Sequence, residues 1–428
     1  MVSITSSCTV TPSEPTPKSC MRLSECDQSC AWTHSPTIYV YHPPPHLHSQ
    51  DAFHTLKQSL KKILVYYYPL AGRLRPIGGG RFELDCNAKG VTLLQAHSPK
   101  TLNHYADFRP HSTVIGDLIP HIDYTKPIDD IPLIFVQLTT FSCGGLIIGL
   151  ANSHIMIDGV AAIKFVSSWA KLARGQSLAE DDMPFLDRTV LRGSQPVMPP
   201  RFDHPEYESY PLLVGTSDAT EEVKKETSTE ILKLTKEQVE KLRKEASDES
   251  RKYTRFEAVS GHLWRSACKA RQHEYEQATL VRVSGDIRNK VKPPLPQNYA
   301  GNAVLRSVTR NVIAGDVMSK PLGYAAGKIR EAIELLKDEE FLRDQLDLIA
   351  TVEDVNSLRK GFHSVGCTSA LTRASYFGNP NLILGTWMSM EVYDADFGWG
   401  KPLYMGPANI GGEEAIDELF GCLNQVTS

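Results

Sequence analysis

Ser153-His154-Ile155-Met156-Ile157-Asp158-Gly159 stands where one hydrophobic pattern gives way to another. Upstream, Leu146-Ile147-Ile148-Gly149-Leu150-Ala151 is a short continuous apolar run, the mark of a buried strand. Downstream, Ile163, Val166, Trp169, Ala170 and Ala173 recur at helical spacing from Gly159 to Arg174 and end at Gly175, which suits the left-handed position past a helix C-terminus. The histidine is therefore predicted on a loop anchored at both ends, where a scaffold can hold a reacting side chain. Its ordinary pKa of about 6.5 leaves imidazole mostly neutral at pH 7 and able to accept a proton. The same residues also fit a hydrogen-bonded histidine at a strand end with Asp158 capping the next helix. A chain with 14 histidines should show roughly one His-x-x-x-Asp by chance, so the spacing alone does not decide.

Moving outward, Thr37-Ile38-Tyr39-Val40-Tyr41 reads as a strand closed by Pro43-Pro44-Pro45. A helix is predicted from Asp51, with Phe53, Leu56, Leu60 and Leu64 on one face and Pro69 as its stop. Ile134 to Phe141 and Leu146 to Ala151 flank Ser142-Cys143-Gly144-Gly145, a connector of hairpin length. From Asp187 onward the pattern dissolves among Pro196, Pro199, Pro200, Pro205 and Pro211. A new unit opens at Leu234-Thr235-Lys236-Glu237-Gln238-Val239, where Thr235 and Gln238 form a capping box and Leu234 and Val239 a hydrophobic staple. An amphipathic stretch follows from Ala325 to Leu346. The organisation predicted is a domain over 1–186, a crossover loop over 187–228 and a second domain over 229–428.

A chain of 428 residues that is 41% hydrophobic can fill two domain cores. The net charge of -4 provides no basic field for nucleic acid or an anionic membrane. No apolar run approaches the roughly 18 residues of a membrane span, and no Lys or Arg precedes the first apolar residues, so a cytosolic protein is expected. Nine cysteines without Cys-x-x-Cys spacing or nearby histidine pairs predict neither a zinc site nor a disulfide scaffold.

Asp396-Phe397-Gly398-Trp399-Gly400 fixes five positions including a tryptophan, a coincidence on the order of 10⁻⁴ in a chain of this length. With the histidine motif it resembles the plant BAHD acyltransferase family. The likeness runs from about Thr9 to Ile410 through Tyr66-Tyr67-Tyr68-Pro69-Leu70-Ala71-Gly72-Arg73-Leu74, Gly261-His262-Leu263-Trp264-Arg265, Gly285-Asp286-Ile287-Arg288 and Gly301-Asn302-Ala303. Phe82-Glu83-Leu84-Asp85-Cys86-Asn87-Ala88 and Pro293-Pro294-Leu295-Pro296 are most similar to spermidine hydroxycinnamoyl transferases. The resemblance implies an α/β fold: two similarly sized mixed-sheet domains, chloramphenicol-acetyltransferase-like, around a solvent tunnel. His154 would lie midway, with CoA entering from one face and the acceptor from the other. It further implies a monomer that uses acyl-CoA as co-substrate and binds no cofactor or metal.

By the same resemblance, His154 is the general base and Asp158 an orienter paired with Arg288. Trp387, beside Thr386 in the substrate pocket, would stabilise the oxyanion; a buried core aromatic is its other reading. Asp396, Phe397, Gly398, Trp399 and Gly400 would shape the tunnel as a tight turn around an indole anchor. Thr254 and Arg255, with Arg251 and Lys252, are candidates for the CoA phosphates, although a solvated charged face explains them equally. Gly378 falls where shikimate-using members carry an arginine for the acceptor carboxylate, and Glu391 and Asp394, on the strand leaving Trp387, could receive ammonium groups. The expected reaction is hydroxycinnamoyl transfer from CoA to an amine of spermidine or a related polyamine. The alternatives are a shikimate or quinate O-transferase, or a truncated, non-catalytic acyl-CoA-binding relative. The latter arises because residues 411–420 depart from the family pattern, which predicts a lost strand and an open sheet edge.

Overall fold

Three sheets carry the chain in the computed structural model, which describes residues 1–43, 49–105, 108, 116–208, 210–223, 225, 230–359, 378–388, 390–408 and the backbone of 418–421. The strands are β1 (Ser3–Val10), β2 (Cys20–Arg22), β3 (His34–Tyr41), β4 (Arg73–Gly78), β5 (Arg81–Asp85), β6 (Val91–Ser98), β7 (Ile134–Phe141) and β8 (Leu146–Ser153). After these come β9 (Val281–Asp286), β10 (Val304–Val308), β11 (Leu382–Thr386), β12 (Tyr404–Pro407) and β13 (Glu418–Gly421). The α-helices are α1 (Glu25–Gln28), α2 (Ser49–Tyr66), α3 (Gly159–Ala173), α4 (Thr220–Val223), α5 (Lys236–Ala246), α6 (Arg255–Ala270), α7 (Ala314–Ser319), α8 (Leu322–Leu335) and α9 (Glu339–Thr351).

The large sheet has the order β1-β6-β7-β8-β3-β12, the second β10-β9-β11-β13, and the small one β2-β5-β4. Both larger sheets are mixed: β6 and β7 run parallel in the first, and β11 runs parallel to β9 and β13 in the second. β8 is buried along its whole length, as its unbroken apolar run requires. One of its faces joins the core in which Leu56, Leu60 and Leu64 of α2 meet Phe165, Val166 and Trp169 of α3. The other joins Ile38, Val40, Phe141 and Ile147. A separate core gathers Trp264 of α6, Val281, Val283 and Leu305 of the second sheet, and Ile329 and Ala332 of α8.

Several expectations meet their physical limits here. The chain after Trp387 does not stay with the second sheet: β12 pairs antiparallel with β3, Tyr404 opposite Val40, so a division into 1–186 and 229–428 does not separate the sheets. The sheet edge expected to be open is occupied by β13, whose Glu418 lies opposite Ile383 of β11. The amphipathic stretch from Ala325 to Leu346 is two helices, because Asp338 caps the backbone of Glu340 and Phe341 and starts a new one. At α5 the capping box of Thr235 and Gln238 is formed, but Leu234 is 39% exposed and does not close a staple. The crossover, although irregular, is tied to α9 where the backbone N–H groups of Arg201 and Phe202 donate to Asp344.

Candidate active site

β8 and β3 deliver His154. Their register ends with His34 opposite Ser153, whose hydroxyl donates to the Trp32 carbonyl at 2.8 Å, and the next backbone N–H, that of His154, donates to the Thr33 carbonyl at 2.9 Å. The apolar residues between the motif's fixed positions then turn inward: Ile155, Met156 and Ile157 are all buried in the first core. Asp158 caps α3, accepting from Ala161 N at 2.9 Å, and the helix closes at Arg174 with Gly175 at φ +74°. Within this one loop the aspartate is a helix cap, and the histidine is left half-buried at its start.

Two buried ion pairs hold that loop. Arg288 donates to Asp158 Oδ2 at 2.9 Å and Oδ1 at 3.0 Å, and also to the carbonyls of Tyr299 and Gly301. Ala303 N adds a further bond to Asp158 Oδ2, so the carboxylate faces away from the imidazole and is fully engaged. Burial is the largest influence and would lower the Arg288 pKa, but the charges and hydrogen bonds of Asp158 and Asp286 together outweigh it and raise it. The second pair is Arg188 with Asp27, both oxygens 2.8 Å from Arg188 Nη1. Arg188 Nη2 donates to the carbonyls of Met156 and Ala300, while Asp27 accepts from the backbone and side chain of Asn302. Asn302 Nδ2 donates to the His154 carbonyl at 2.9 Å. Tyr299 lies between the two guanidiniums, 6.0 Å from Arg188 and 5.7 Å from Arg288. Gly301 leaves no room for a Cβ, which would come 2.5 Å from Arg188 Nη1.

Burial is the largest influence on His154 and pushes its pKa below 6.5; Arg306 pushes the same way, while its own backbone, Asp158 and Asn302 oppose. The imidazole is therefore kept neutral at pH 7, the form that accepts a proton. Neighbouring thiols offer no competing nucleophile, since burial pushes Cys30 up to about 12 and Cys26 well above its ordinary value.

The segment after β11 folds over this loop. Trp387 is half-buried against the core that contains Ile155, Met156 and Ile157, and a Cβ on Gly159 would lie 3.2 Å from the Met390 methyl. Thr386 Oγ1 accepts from Met388 N at 3.2 Å and shapes the turn beside Trp387. In the next motif Asp396 Oδ1 accepts from Gly398 N at 2.8 Å and Gly400 N at 3.0 Å, a turn that needs φ of +97° and +92° at the two glycines. Phe397 packs edge-on against Trp169 at 4.9 Å, Trp399 against Tyr41 at 5.5 Å, and Arg174 donates to the Asp396 carbonyl. The motif thus rivets the returning chain to α3 and β3.

Other expected residues are not brought to His154. Gly378 precedes the far end of β11, eight residues from Thr386 and beside Asn379, which bonds His273 and Glu222. At about 3.3 Å per residue the strand itself separates Gly378 from the Trp387 end. Glu391 and Asp394 are exposed on turns rather than a strand, and Asp394 is paired with Lys401 at 2.9 Å. Thr254 caps α6, bonding Glu257 N at 3.2 Å, and Glu257 is in turn clamped by Arg330 at 2.6 Å. Arg255, exposed in the first turn of α6, remains open to an anion at that helix end. Among the described residues no group of three or more His, Cys, Asp or Glu could hold a metal ion, and no helix is long and apolar enough to cross a membrane.

Sequence reasoning missed Asp27 and Arg188. Ser24-Glu25-Cys26-Asp27 signals a capped helix start, and the structure does form that capping box; nothing local says that the same carboxylate also meets an arginine 161 positions away.

The sequence pattern of the Transferase family matches residues 1–416. The hydroxycinnamoyl-CoA:piscidic acid hydroxycinnamoyltransferase of Actaea racemosa is 44% identical over 420 residues, 96% of this chain and 92% of that protein. The shikimate O-hydroxycinnamoyltransferase of Nicotiana tabacum is 35% identical over 96% of this chain and 91% of its own length. A hydroxycinnamoyl-CoA:5-hydroxyanthranilate N-hydroxycinnamoyltransferase of Avena sativa is 32% identical over the same shares, 96% and 91%. The fold matches the crystal structure of vinorine synthase with a TM-score of 0.69 at 22% identity, covering 99% of this chain and 92% of that one.

Proposed function

The chain belongs to the Transferase family, the plant BAHD acyltransferases, and from that premise we propose that it moves a hydroxycinnamoyl group from a CoA thioester to a small acceptor, with His154 as general base. The observation that carries this is the state of His154: neutral, half-buried, and held on a loop whose own aspartate is turned away to Arg288. In the proposed step the acceptor's oxygen or nitrogen attacks the thioester carbon and its proton passes to the imidazole. The carbon–sulfur bond then breaks, and the imidazolium returns the proton to the departing CoA thiolate. The Trp387 indole N–H serves as oxyanion donor, a role typically worth about 10²–10³ in rate.

For the acceptor we propose the hydroxyl of a small carboxylic acid. Supporting this, the 44% identical relative is named for piscidic acid, and Asp394, one of the two carboxylates considered for a polyamine, is already paired with Lys401. Spermidine, toward which residues 82–88 and 293–296 point, is the second reading. The test is to incubate the purified protein with p-coumaroyl-, caffeoyl- and feruloyl-CoA against piscidic acid, shikimate, 5-hydroxyanthranilate and spermidine, and to weigh the products. Esters of the acids are expected. Acylated spermidine alone would overturn the acceptor, and no acyl transfer by folded protein would overturn the whole reading.

A further inference from the structure

We propose that Asp27 and Arg188 are positioning residues for His154, a second ion pair that sets the imidazole through Asn302 independently of the Asp158–Arg288 pair. This rests on the reading of His154 as the base. Three features of the geometry point to it. First, the pair is dry: Arg188 and Asp27 side chains are 1% and 0% exposed, so its strength is not diluted by water. Second, its bonds end on the reacting loop. Arg188 holds the Met156 carbonyl, two residues past His154, and Asp27 holds both nitrogen donors of Asn302, whose amide grips the His154 carbonyl. Third, the two pairs share no carboxylate or guanidinium; both are tied to the 299–303 segment, but on the loop they take hold at different points, Arg288 on Asp158 at the helix end, Arg188 and Asn302 on the residues before it.

The fork of Arg188 is what makes this a positioning device and not only a neutralised charge. One nitrogen takes both Asp27 oxygens while the other takes carbonyls from two separate segments, Met156 and Ala300. A lysine could keep the charge pairing but has no rigid fork with which to span the two segments. Besides burial, which lowers the imidazole's pKa, its own backbone, Asp158 at a distance and Asn302 raise it, and Arg306 lowers it. If Asn302 drifts, one of the raising contacts weakens and His154 becomes a still weaker base.

The experiment compares Arg188→Lys and Asp27→Asn with Asp344→Asn, which disturbs a buried cluster built on His204, Arg201 and Phe202 rather than on the loop. Kinetics are read with p-coumaroyl-CoA and whichever acceptor the wild type uses. The titration of His154 is read separately by imidazole NMR, assigned with His154→Gln. For Arg188→Lys we expect kcat to fall about 10- to 100-fold with KM for the thioester little changed, since a displacement of about 1 Å at the reacting group has that consequence. We also expect the His154 titration, and with it the acid limb of the rate profile, to move to lower pH. Asp344→Asn should lower Tm yet move neither. The proposal is overturned if Arg188→Lys folds with unaltered kcat and His154 titration, or if Asp344→Asn shifts them equally. Should Asp27→Asn fail to fold, Arg188→Lys still decides. Should the wild type transfer no acyl group, the base reading fails while the NMR titration still tests the coupling.

Discussion

His154 and His204 are both histidines surrounded by protein and carboxylates, and the molecule sends them in opposite directions. At His204, 5% exposed, Nδ1 lies 2.8 Å from Glu206 and Nε2 lies 3.0 Å from Asp344. Burial alone would lower its pKa, but the bonds and charges of Glu206 and then Asp344 outweigh it and raise the pKa above 6.5. At His154 the nearest carboxylate is spent on Arg288, burial prevails, and the pKa falls. The first is held toward its protonated form where it ties the crossover to α9; the second is held toward its neutral form. What separates them is not the presence of an aspartate but where its lone pairs go.

The comparison breaks first at activity. His154→Ala should lose about 10²–10⁴ in kcat; CoA release from p-coumaroyl-CoA measures it, and wild-type turnover in the variant would sink the assignment. His204→Gln should leave the turnover of folded protein intact. Next in size, Asp158→Ala should lose about 3–5 kcal/mol in urea denaturation, since it strands a buried guanidinium. A dead variant of undiminished stability would instead make Asp158 a participant in the chemistry.

Proton linkage sharpens the contrast. With a raised folded pKa, His204 contributes stability that is complete below about pH 6.5 and is lost as pH rises through its folded value. With a lowered folded pKa, His154 acts in the opposite sense: stability declines as pH falls below about 6.5, where the unfolded histidine binds the proton first. Tm measured against pH should therefore lose its alkaline decline in His204→Gln and keep its acid-side decline; an unchanged alkaline limb would refute the role of His204. The acid limb of kcat/KM should lie below pH 6.5 by the same lowered pKa. The smallest effect belongs to the rivet: Gly398→Ala, at φ +97°, should cost about 1–2 kcal/mol in urea titration, and a neutral result would show that the turn relaxes.

Local pattern was enough for much of this molecule. The strand, the loop and the helix around His154 follow from a continuous apolar run, a change of period and a terminal glycine, and the structure places all three within a residue or two of the expected bounds. The turn at Asp396 to Gly400 was equally legible, because a short carboxylate followed by two glycines has few other ways to fold. The acceptor side was not. Gly378 is tied to the acceptor by resemblance alone, and resemblance at one position carries no information about which end of a strand faces the site.

The sequence by itself determined that a histidine would be presented between a buried strand and a helix in a BAHD-like chain. Only the tertiary structure decided what that histidine is. Its proton affinity and its position depend on Arg288, Asn302, Asp27 and Arg188, which stand 34 to 148 positions from it along the chain, and on the dryness they share. Period and propensity act over a few residues, whereas burial and charge act through space, so the fold can be read along the chain and the base strength of one imidazole cannot.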